Sequence, residues 1–316
     1  MSFDHGSPRV GGLRDAMVAL QLLTRIPMPR DLSPSPDALG RAAGWFPVVG
    51  VVVGALIAAV GTAAVEIGLS PGLAAVIAIG FGVFVTGSFH EDGLADSADA
   101  FGAAWDRDQV LAIMRDSRIG SYGTVALALL FASRLAALWS TDPAAWNASL
   151  IAAHTVARWS SVHLMMTRDY ARRDGEAPGV GKPIIEEVPR ASFWFASVVT
   201  VLVIVNALGL RGLITVVAAL VLSGLWGRYC QRRIGGITGD ALGALNVAVE
   251  VAVLAGCAMW HPASASPWIA QGTAPASCGW FATDPSTSNS AYALDRPMCR
   301  WPRRKMPRRG QRRSPR

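Results

Sequence analysis

The stretch "GLAAVIAIGFGVFVTGSFHEDGLADSADAFG", residues 72–102, joins a long apolar run to a dense group of acidic residues. A membrane-spanning helix needs about 20 mostly apolar residues, and the run that ends near residue 90 has that length. Asp92, Asp96 and Asp99 follow at spacings i, i+4 and i+7, which place them on one face of a helix. The sequence therefore predicts a spanning helix with a carboxylate-bearing helical face at its end.

The rest of the chain repeats the apolar pattern. Its 316 residues are 52% hydrophobic and only 16% charged, whereas a soluble domain carries about 25% charged residues. The predicted spans are 45–66, 71–90, 122–140, 145–166, 192–210, 211–228 and 241–260. The fourth is the least apolar because it carries His154, Arg158 and His163. None shows the alternation of a membrane barrel strand, so we predict an all-α, polytopic transmembrane bundle of about seven spans.

The net charge of +7 belongs to one end of the chain. Residues 261–316 hold ten Lys and Arg and two Asp, whereas residues 1–260 hold 19 basic and 20 acidic residues. The basic isoelectric point therefore does not indicate a nucleic-acid partner. We expect an integral-membrane domain over 1–260 and an Arg/Pro-rich tail over 261–316 that is disordered or a reading-frame artefact. The four cysteines have no CxxC spacing and predict neither a zinc site nor a disulfide framework.

The basic residues of the membrane domain also predict its orientation. The segments 1–44, 91–121, 158–190 and 228–240 hold 17 Lys and Arg, and the alternate loops hold one, Arg211. Lys and Arg are enriched in cytoplasmic loops. We therefore expect every long polar loop, and the chemistry it carries, to face the cytoplasm.

The acidic face has two interpretations. Asp92, Asp96 and Asp99 could form the solvated side of an ordinary helix. Placing carboxylates at the end of a membrane span costs free energy, and such residues are often functional. Mg²⁺ in proteins is usually held by one or two carboxylates together with waters and substrate phosphates. We favour the metal interpretation. Glu91 would point to a different side of the helix, so it is a weaker candidate for a metal ligand.

Further polar residues accompany this face. Arg115, Asp116 and Arg118 lie in "IMRDSRIGSYG", and arginine forks match phosphate oxygens; the alternative is that they only flank the next span. Asp240 follows a Gly-rich turn and could cap the last helix or contact substrate. Glu250 should face the bundle interior, and Arg158 opens a fourth polar segment. Together these groups predict metal-assisted chemistry on a phosphorylated substrate.

Five segments resemble the cobalamin synthase family, whose members are adenosylcobinamide-GDP ribazoletransferases. They are "LTRIPMP" (23–29), "WFPVVGVVVGAL" (45–56), "TGSFHEDGLADSADAFG" (86–102), "IMRDSRIGSYG" (113–123) and "GGITGDALGA" (235–244). The resemblance covers about residues 13–255. It implies a bacterial inner-membrane enzyme that joins adenosylcobinamide-GDP to α-ribazole or its 5′-phosphate, with Mg²⁺ as cofactor and GMP as product. Other B12-assembly enzymes and membrane lipid are the further partners it implies.

This resemblance and the spacing together give a candidate site. The catalytic candidates are Asp92, Asp96, Asp99, Arg115 and Arg118. The three aspartates among them, Asp92, Asp96 and Asp99, are the candidate metal ligands. The substrate-binding candidates are Asp116, Arg158, Asp240 and Glu250. Two rival classes remain: an ion-coupled transporter, which would place acids near the midplane, and a CDP-alcohol phosphotransferase, whose fuller acidic motif the chain lacks.

Overall fold

The computed structural model describes residues 12–29, 32, 35–116, 118–172 and 182–263. Within these residues the chain forms twelve α-helices and no β-strand. The helices are α1 Leu13–Leu23, α2 Pro36–Ala42, α3 Phe46–Glu66, α4 Pro71–Thr86, α5 Phe89–Ala103, α6 Arg107–Ile113, α7 Ser121–Trp139, α8 Trp146–Thr167, α9 Lys182–Glu186, α10 Arg190–Leu208, α11 Leu213–Ile234 and α12 Gly239–Trp260. The all-α bundle is confirmed. The predicted tail lies, from residue 264 onward, outside the described residues.

The number of spans is lower than the seven predicted runs suggest. In the described part of the chain, five helical segments are long and apolar enough to cross a membrane, and the bent pair α4–α5 could be a sixth. These segments contain α3, α7, α10, α11 and α12. The remaining predicted run, 145–166, corresponds to α8, which is too polar to count as a span on composition alone.

Helix α8 is polar because it lies at the centre of the bundle. Sixteen of its 22 residues are buried, and it packs against α3, α10, α11 and α12. Its closest neighbour is α3, where "GVVVG" puts Gly50 and Gly54 one turn apart. A Cβ at Gly54 would lie 2.6 Å from the carbonyl oxygen of Leu150, so only glycine lets the two backbones approach this closely.

The run predicted as a single span over 71–90 is broken. Helix α4 ends at Thr86, and α5 begins at Phe89 after a bend of 89°. Gly87 and Ser88 both adopt the left-handed conformation, with φ of 68° and 61°. Ser88 is the one non-glycine residue with positive φ in the described chain, and such a conformation costs about 1–2 kcal/mol. The acidic helix α5 therefore runs nearly perpendicular to α4.

Several contacts fix the loops at one end of the bundle. Arg107, at the start of α6, donates to the carbonyl oxygens of Ile234 and Ala171 at 3.2 and 2.7 Å. The backbone of Ile237 pairs with that of Asp169, since its N–H donates to the Asp169 carbonyl oxygen at 2.9 Å. These bonds tie the α5–α6, α8–α9 and α11–α12 connections together. We call this end of the bundle the site end.

Candidate active site

Asp92 and Asp96 lie on α5 and face the first turn of α12. The two helices cross at a pair of glycines: a Cβ at Gly93 would lie 2.9 Å from the Asp240 carbonyl oxygen and 3.2 Å from the Cα of Gly243. This close crossing brings Asp240 beside the acidic face of α5. The capping alternative for Asp240 is wrong, because the side chain of Thr238 caps α12 by accepting from the N–H of Ala241 at 3.2 Å.

Asp92, Asp96 and Asp240 form a cluster of like charges, which we call the acidic cluster. Asp96 experiences repulsion from both Asp92 and Asp240. Asp92 is exposed, and the other two carboxylates are half-buried. None of the three forms a salt bridge within the described residues. Such a cluster is unfavourable unless a cation or a basic ligand group lies against it.

The donor chemistry of the acidic cluster suits a hard divalent cation. Its oxygen donors are the ones Mg²⁺ prefers, and Mg²⁺ takes only one or two of them from protein when substrate phosphates complete its shell. Among the described residues, no three His, Cys, Asp or Glu side chains are arranged to hold a metal on their own. The donor set therefore fits a cation that is bound together with a phosphorylated substrate.

Asp99 has a different environment from the other two candidate ligands. Its carboxylate is buried and accepts from the N–H of Gly120 at 2.7 Å and from the N–H of Gly123 at 2.9 Å. Gly120 directly precedes the first turn of α7 and has no side chain that could cap this helix. A Cβ on either glycine would collide with the Asp99 carboxylate. Asp99 thus serves as the N-terminal cap of α7, supplied from α5.

The bonds of Asp99 hold the loop between α6 and α7 at the site end. This loop carries Arg115, Asp116 and Arg118. The Nε atom of Arg118 lies 2.9 Å from Asp116 Oδ1, and its Nη2 atom lies 2.5 Å from Asp116 Oδ2. The pair is exposed, and the hydrogen bonds from Arg118 lower the pKa of Asp116 to about 2. Arg115 is also exposed.

A second contact links the same loop to α12. The hydroxyl of Thr238 donates to the sulfur of Met114 at 3.6 Å, and Met114 is buried directly before Arg115. The structure therefore brings together seven predicted residues at the site end: Asp92, Asp96, Asp99, Arg115, Asp116, Arg118 and Asp240.

Glu250 and Arg158 lie elsewhere, in the interior of the bundle. Glu250 faces the interior as predicted, with an exposed fraction of 4%. One of its carboxylate oxygens accepts from Arg134 Nη2 at 2.8 Å, and Arg134 Nη1 donates to Glu91 Oε1 at 2.6 Å. We call Glu91, Arg134 and Glu250 the buried triad. It joins α5, α7 and α12, and its carboxylates are committed to a protein cation.

Arg158 is not part of a polar loop. It lies within α8 with an exposed fraction of 1%, and its Nη1 atom is 3.1 Å from His154 Nδ1. The prediction that Arg158 opens the fourth polar segment is wrong, because α8 continues to Thr167 and the interior supplies polar partners. His154 in turn lies 3.7 Å from Glu250, so Arg158 adjoins the buried triad.

The interior polar groups line a narrow cavity. It leaves about 20 Å³ for the centres of water molecules, which is room for about one water. Glu91 Oε2 has no hydrogen-bond partner within the described residues, and a water in this cavity would supply one. Arg134 is not among the predicted site residues, although a charge in the middle of a predicted span signals a buried partner.

Comparisons with family profiles and with individual relatives point to the same family. The profile of a family described as cobalamin-5-phosphate synthase matches residues 15–258. An adenosylcobinamide-GDP ribazoletransferase from Ralstonia nicotianae is 38% identical over 250 residues, which cover 76% of this chain and 93% of the relative. One from Shewanella sp. is 36% identical over 238 residues, covering 74% and 90%. No solved structure matches the chain.

Proposed function

The chain belongs to the cobalamin-5-phosphate synthase family, and we propose on that basis that it is an adenosylcobinamide-GDP ribazoletransferase. It transfers the cobinamide-phosphate moiety of adenosylcobinamide-GDP to α-ribazole, or to α-ribazole 5′-phosphate, and releases GMP. The reaction is the last step in assembling the nucleotide loop of B12. The observation that carries this proposal is that the acidic cluster and the arginine-bearing α6–α7 loop lie at the same end of a membrane bundle, joined through Asp99.

Mg²⁺ is the proposed cofactor, and Asp92, Asp96 and Asp240 are the proposed ligand candidates. Asp240 replaces Asp99 in this set, because both oxygens of Asp99 already accept hydrogen bonds from α7. A bound Mg²⁺ would neutralise the charge of the pyrophosphate and hold its oxygens in place. The like charges that face Asp96 support this assignment.

The chain's own residues then position the substrate and neutralise charge. A hydroxyl of α-ribazole forms a bond to the phosphorus linked to cobinamide, and the bond from that phosphorus to the bridging oxygen breaks. The electron pair of the broken bond leaves with GMP, and a carboxylate of the acidic cluster accepts the hydroxyl proton. Arg115 and Arg118 stabilise the charge that develops on the phosphoryl oxygens. Arg118 must exchange Asp116 for phosphate, which is feasible because their pair is exposed.

Orientation in the membrane is the second part of the proposal. We place the protein in the bacterial inner membrane with the site end toward the cytoplasm. The excess of basic residues in the segments at that end supports this orientation. Removing the buried Arg158 from those segments changes 17 Lys and Arg to 16 against one, which leaves the asymmetry intact.

Activity of the purified protein tests the proposal directly. The full chain in lipid nanodiscs is incubated with adenosylcobinamide-GDP, α-ribazole and Mg²⁺, and GMP and the cobamide product are measured by liquid chromatography. We expect both products to form only when both substrates are present, and chelation of divalent metal to stop the reaction. A well-folded sample that releases no GMP under these conditions contradicts the transferase assignment. Activity that survives chelation contradicts only the Mg²⁺ assignment.

A further inference from the structure

A second cavity lies beside the acidic cluster and reaches into the bundle between α1, α3, α5, α8, α9 and α12. About 50 Å³ of it is open to the centres of water molecules, compared with about 20 Å³ in the interior cavity. The walls are mainly apolar, with Phe46, Phe89, Met165 and Ile184 among them. We call it the outer cavity.

Two side chains of the outer cavity are deeply buried and incompletely hydrogen-bonded. Arg158 and Asn246 are each 1% exposed. Neither Arg158 Nε nor Asn246 Oδ1 has a hydrogen-bond partner within the described residues. Asn246 Nδ2 donates to Ser161 Oγ at 3.4 Å, a long bond near the limit of useful geometry. An unsatisfied buried polar group costs about 1–3 kcal/mol, so these atoms need a reason to be there.

The mouth of the outer cavity adjoins the proposed reaction site. Phe89 lines it and lies one helical turn before Asp92, and Gly239 lines it directly before Asp240. Asn246 is seven residues further along α12, which corresponds to about 10 Å of helix. A substrate whose reacting group lies at the acidic cluster can therefore place a flat substituent in the cavity.

The balance of apolar and polar groups defines the substituent. A guanine base has donors and acceptors around most of its edge, and apolar walls would leave several of them unpaired. A mostly apolar bicyclic base with one ring-nitrogen acceptor would leave fewer polar groups without a hydrogen-bond partner in this cavity. Its nitrogen can accept from Arg158, or from Asn246 when the amide turns its NH₂ group toward the ligand.

We propose that the outer cavity binds the heterocyclic base of the nucleoside acceptor, with Asn246 and Arg158 contacting its ring nitrogen. This inference rests on the proposed function and adds a specificity subsite to it. It predicts that the cavity governs affinity for the acceptor nucleoside and leaves affinity for adenosylcobinamide-GDP unchanged.

The test compares Asn246→Leu with wild type in nanodiscs. Leucine has the same branched side-chain shape as asparagine, although it is larger, and it offers no hydrogen bond. We expect KM for α-ribazole to rise about tenfold or more, as the loss of one buried hydrogen bond predicts. We expect KM for adenosylcobinamide-GDP, and kcat at saturating α-ribazole, to change less than about twofold. Ser223→Ala is the matched control, because it removes another buried unpartnered polar atom that lies outside the cavity.

Two further measurements keep the test decisive if Asn246→Leu fails to fold. Met165→Trp narrows the cavity without touching its polar groups and should also raise KM for α-ribazole, whereas Met259→Trp on an exposed surface should not. On the wild-type protein, a nucleoside whose base is indole lacks the ring-nitrogen acceptor. It should bind at least about tenfold more weakly than α-ribazole in equilibrium dialysis.

The outcomes separate this inference from the proposed function. If wild type releases no GMP, the transferase assignment fails. If wild type is active but the cavity variants raise KM for adenosylcobinamide-GDP instead, the cavity holds part of the other substrate and the inference is overturned. Unchanged KM values in folded variants, or equal binding of the indole nucleoside, overturn it as well.

Discussion

Glu91 and Asp92 are neighbours in the sequence, yet they lie in opposite environments. Glu91 is 5% exposed and pairs with Arg134 in the buried triad. Asp92 points to the other side of α5, is exposed and forms no ion pair within the described chain. A buried carboxylate whose charge is already compensated by the protein serves the fold. One that faces only like charges is available to a ligand. Substitutions in the buried triad and in the acidic cluster should therefore have opposite effects on stability and turnover.

The largest expected effect is that of Arg134→Leu. Removing the guanidinium leaves Glu91 and Glu250 as buried carboxylates without their cation, which costs about 3–5 kcal/mol. We expect little folded protein, measured as the monodisperse peak in fluorescence-detected gel filtration and as thermal stability in detergent. The loss of activity should follow the loss of folded protein.

A neutral version of the triad is the control. Replacing both glutamates by glutamine in the Arg134→Leu background removes the uncompensated charges, and a buried neutral amide costs far less than a buried unpaired charge. This triple variant should recover much of the folded protein. If Arg134→Leu is as stable as wild type, the buried triad does not hold α5, α7 and α12 together.

The acidic cluster should show the opposite behaviour. Asp92→Asn and Asp96→Asn each remove one negative charge from a repulsive group, so thermal stability should stay the same or rise slightly. Turnover should fall by roughly 100-fold or more, because the proposed Mg²⁺ contributes several kcal/mol of charge stabilisation to the transition state. GMP release and thermal stability are measured on the same nanodisc samples.

Asp108→Asn is the matched control, because Asp108 is an exposed carboxylate that lies near the site end outside the acidic cluster. It should keep turnover within about twofold of wild type. Full activity in either Asp92→Asn or Asp96→Asn removes that residue from the proposed metal site.

The sequence predicted the residues of this site better than their arrangement. Helical spacing placed Asp92 and Asp96 on one face, and hydropathy located the apolar helices to within a few residues. Spacing alone could not tell that Asp99 would be consumed as a cap, because its partners are backbone N–H groups at Gly120 and Gly123, 21 and 24 residues away.

Two other features depended on tertiary structure. The 89° bend at Gly87 and Ser88 interrupts a continuous apolar run, and hydropathy does not register a change of direction. The polar residues of α8 lower its mean hydropathy below that of a membrane span. A helix surrounded by four others can nevertheless carry polar side chains, because its neighbours supply their hydrogen-bond partners. Glu250, His154 and Arg158 were signals of this interior network, and Arg134 was a further one, since its charge also lies within a predicted span.

Asp99→Asn should have an intermediate effect. Asparagine has one carbonyl oxygen where the carboxylate has two, so one of the two N–H groups at the start of α7 loses its acceptor. We expect a loss of about 1–3 kcal/mol in stability, seen as a lower melting temperature, and a higher KM for adenosylcobinamide-GDP because the α6–α7 loop is less well held. Asp99→Ala should be worse in both respects. A variant with normal stability and a large fall in kcat alone would instead make Asp99 a direct ligand.

The smallest effect is expected at the pair Asp116–Arg118, which is an ion pair like the buried triad but is exposed to solvent like Asp92. Hydrogen bonds from Arg118 lower the pKa of Asp116 from 3.8 to about 2. A carboxyl group with a lowered pKa stabilises the fold above its unfolded pKa and loses that contribution as the pH falls through its folded pKa. The contribution of Asp116 is therefore constant above about pH 5, and Asp116→Asn should give a curve of melting temperature against pH that runs parallel to that of wild type from pH 5 to pH 9. Since exposed ion pairs contribute little, the two curves should also nearly coincide. A melting temperature of Asp116→Asn that is clearly lower than that of wild type at all pH values would show that an ion pair stabilises the fold even when it is exposed to water. Burial would then not be what distinguishes the structural carboxylates from those of the acidic cluster.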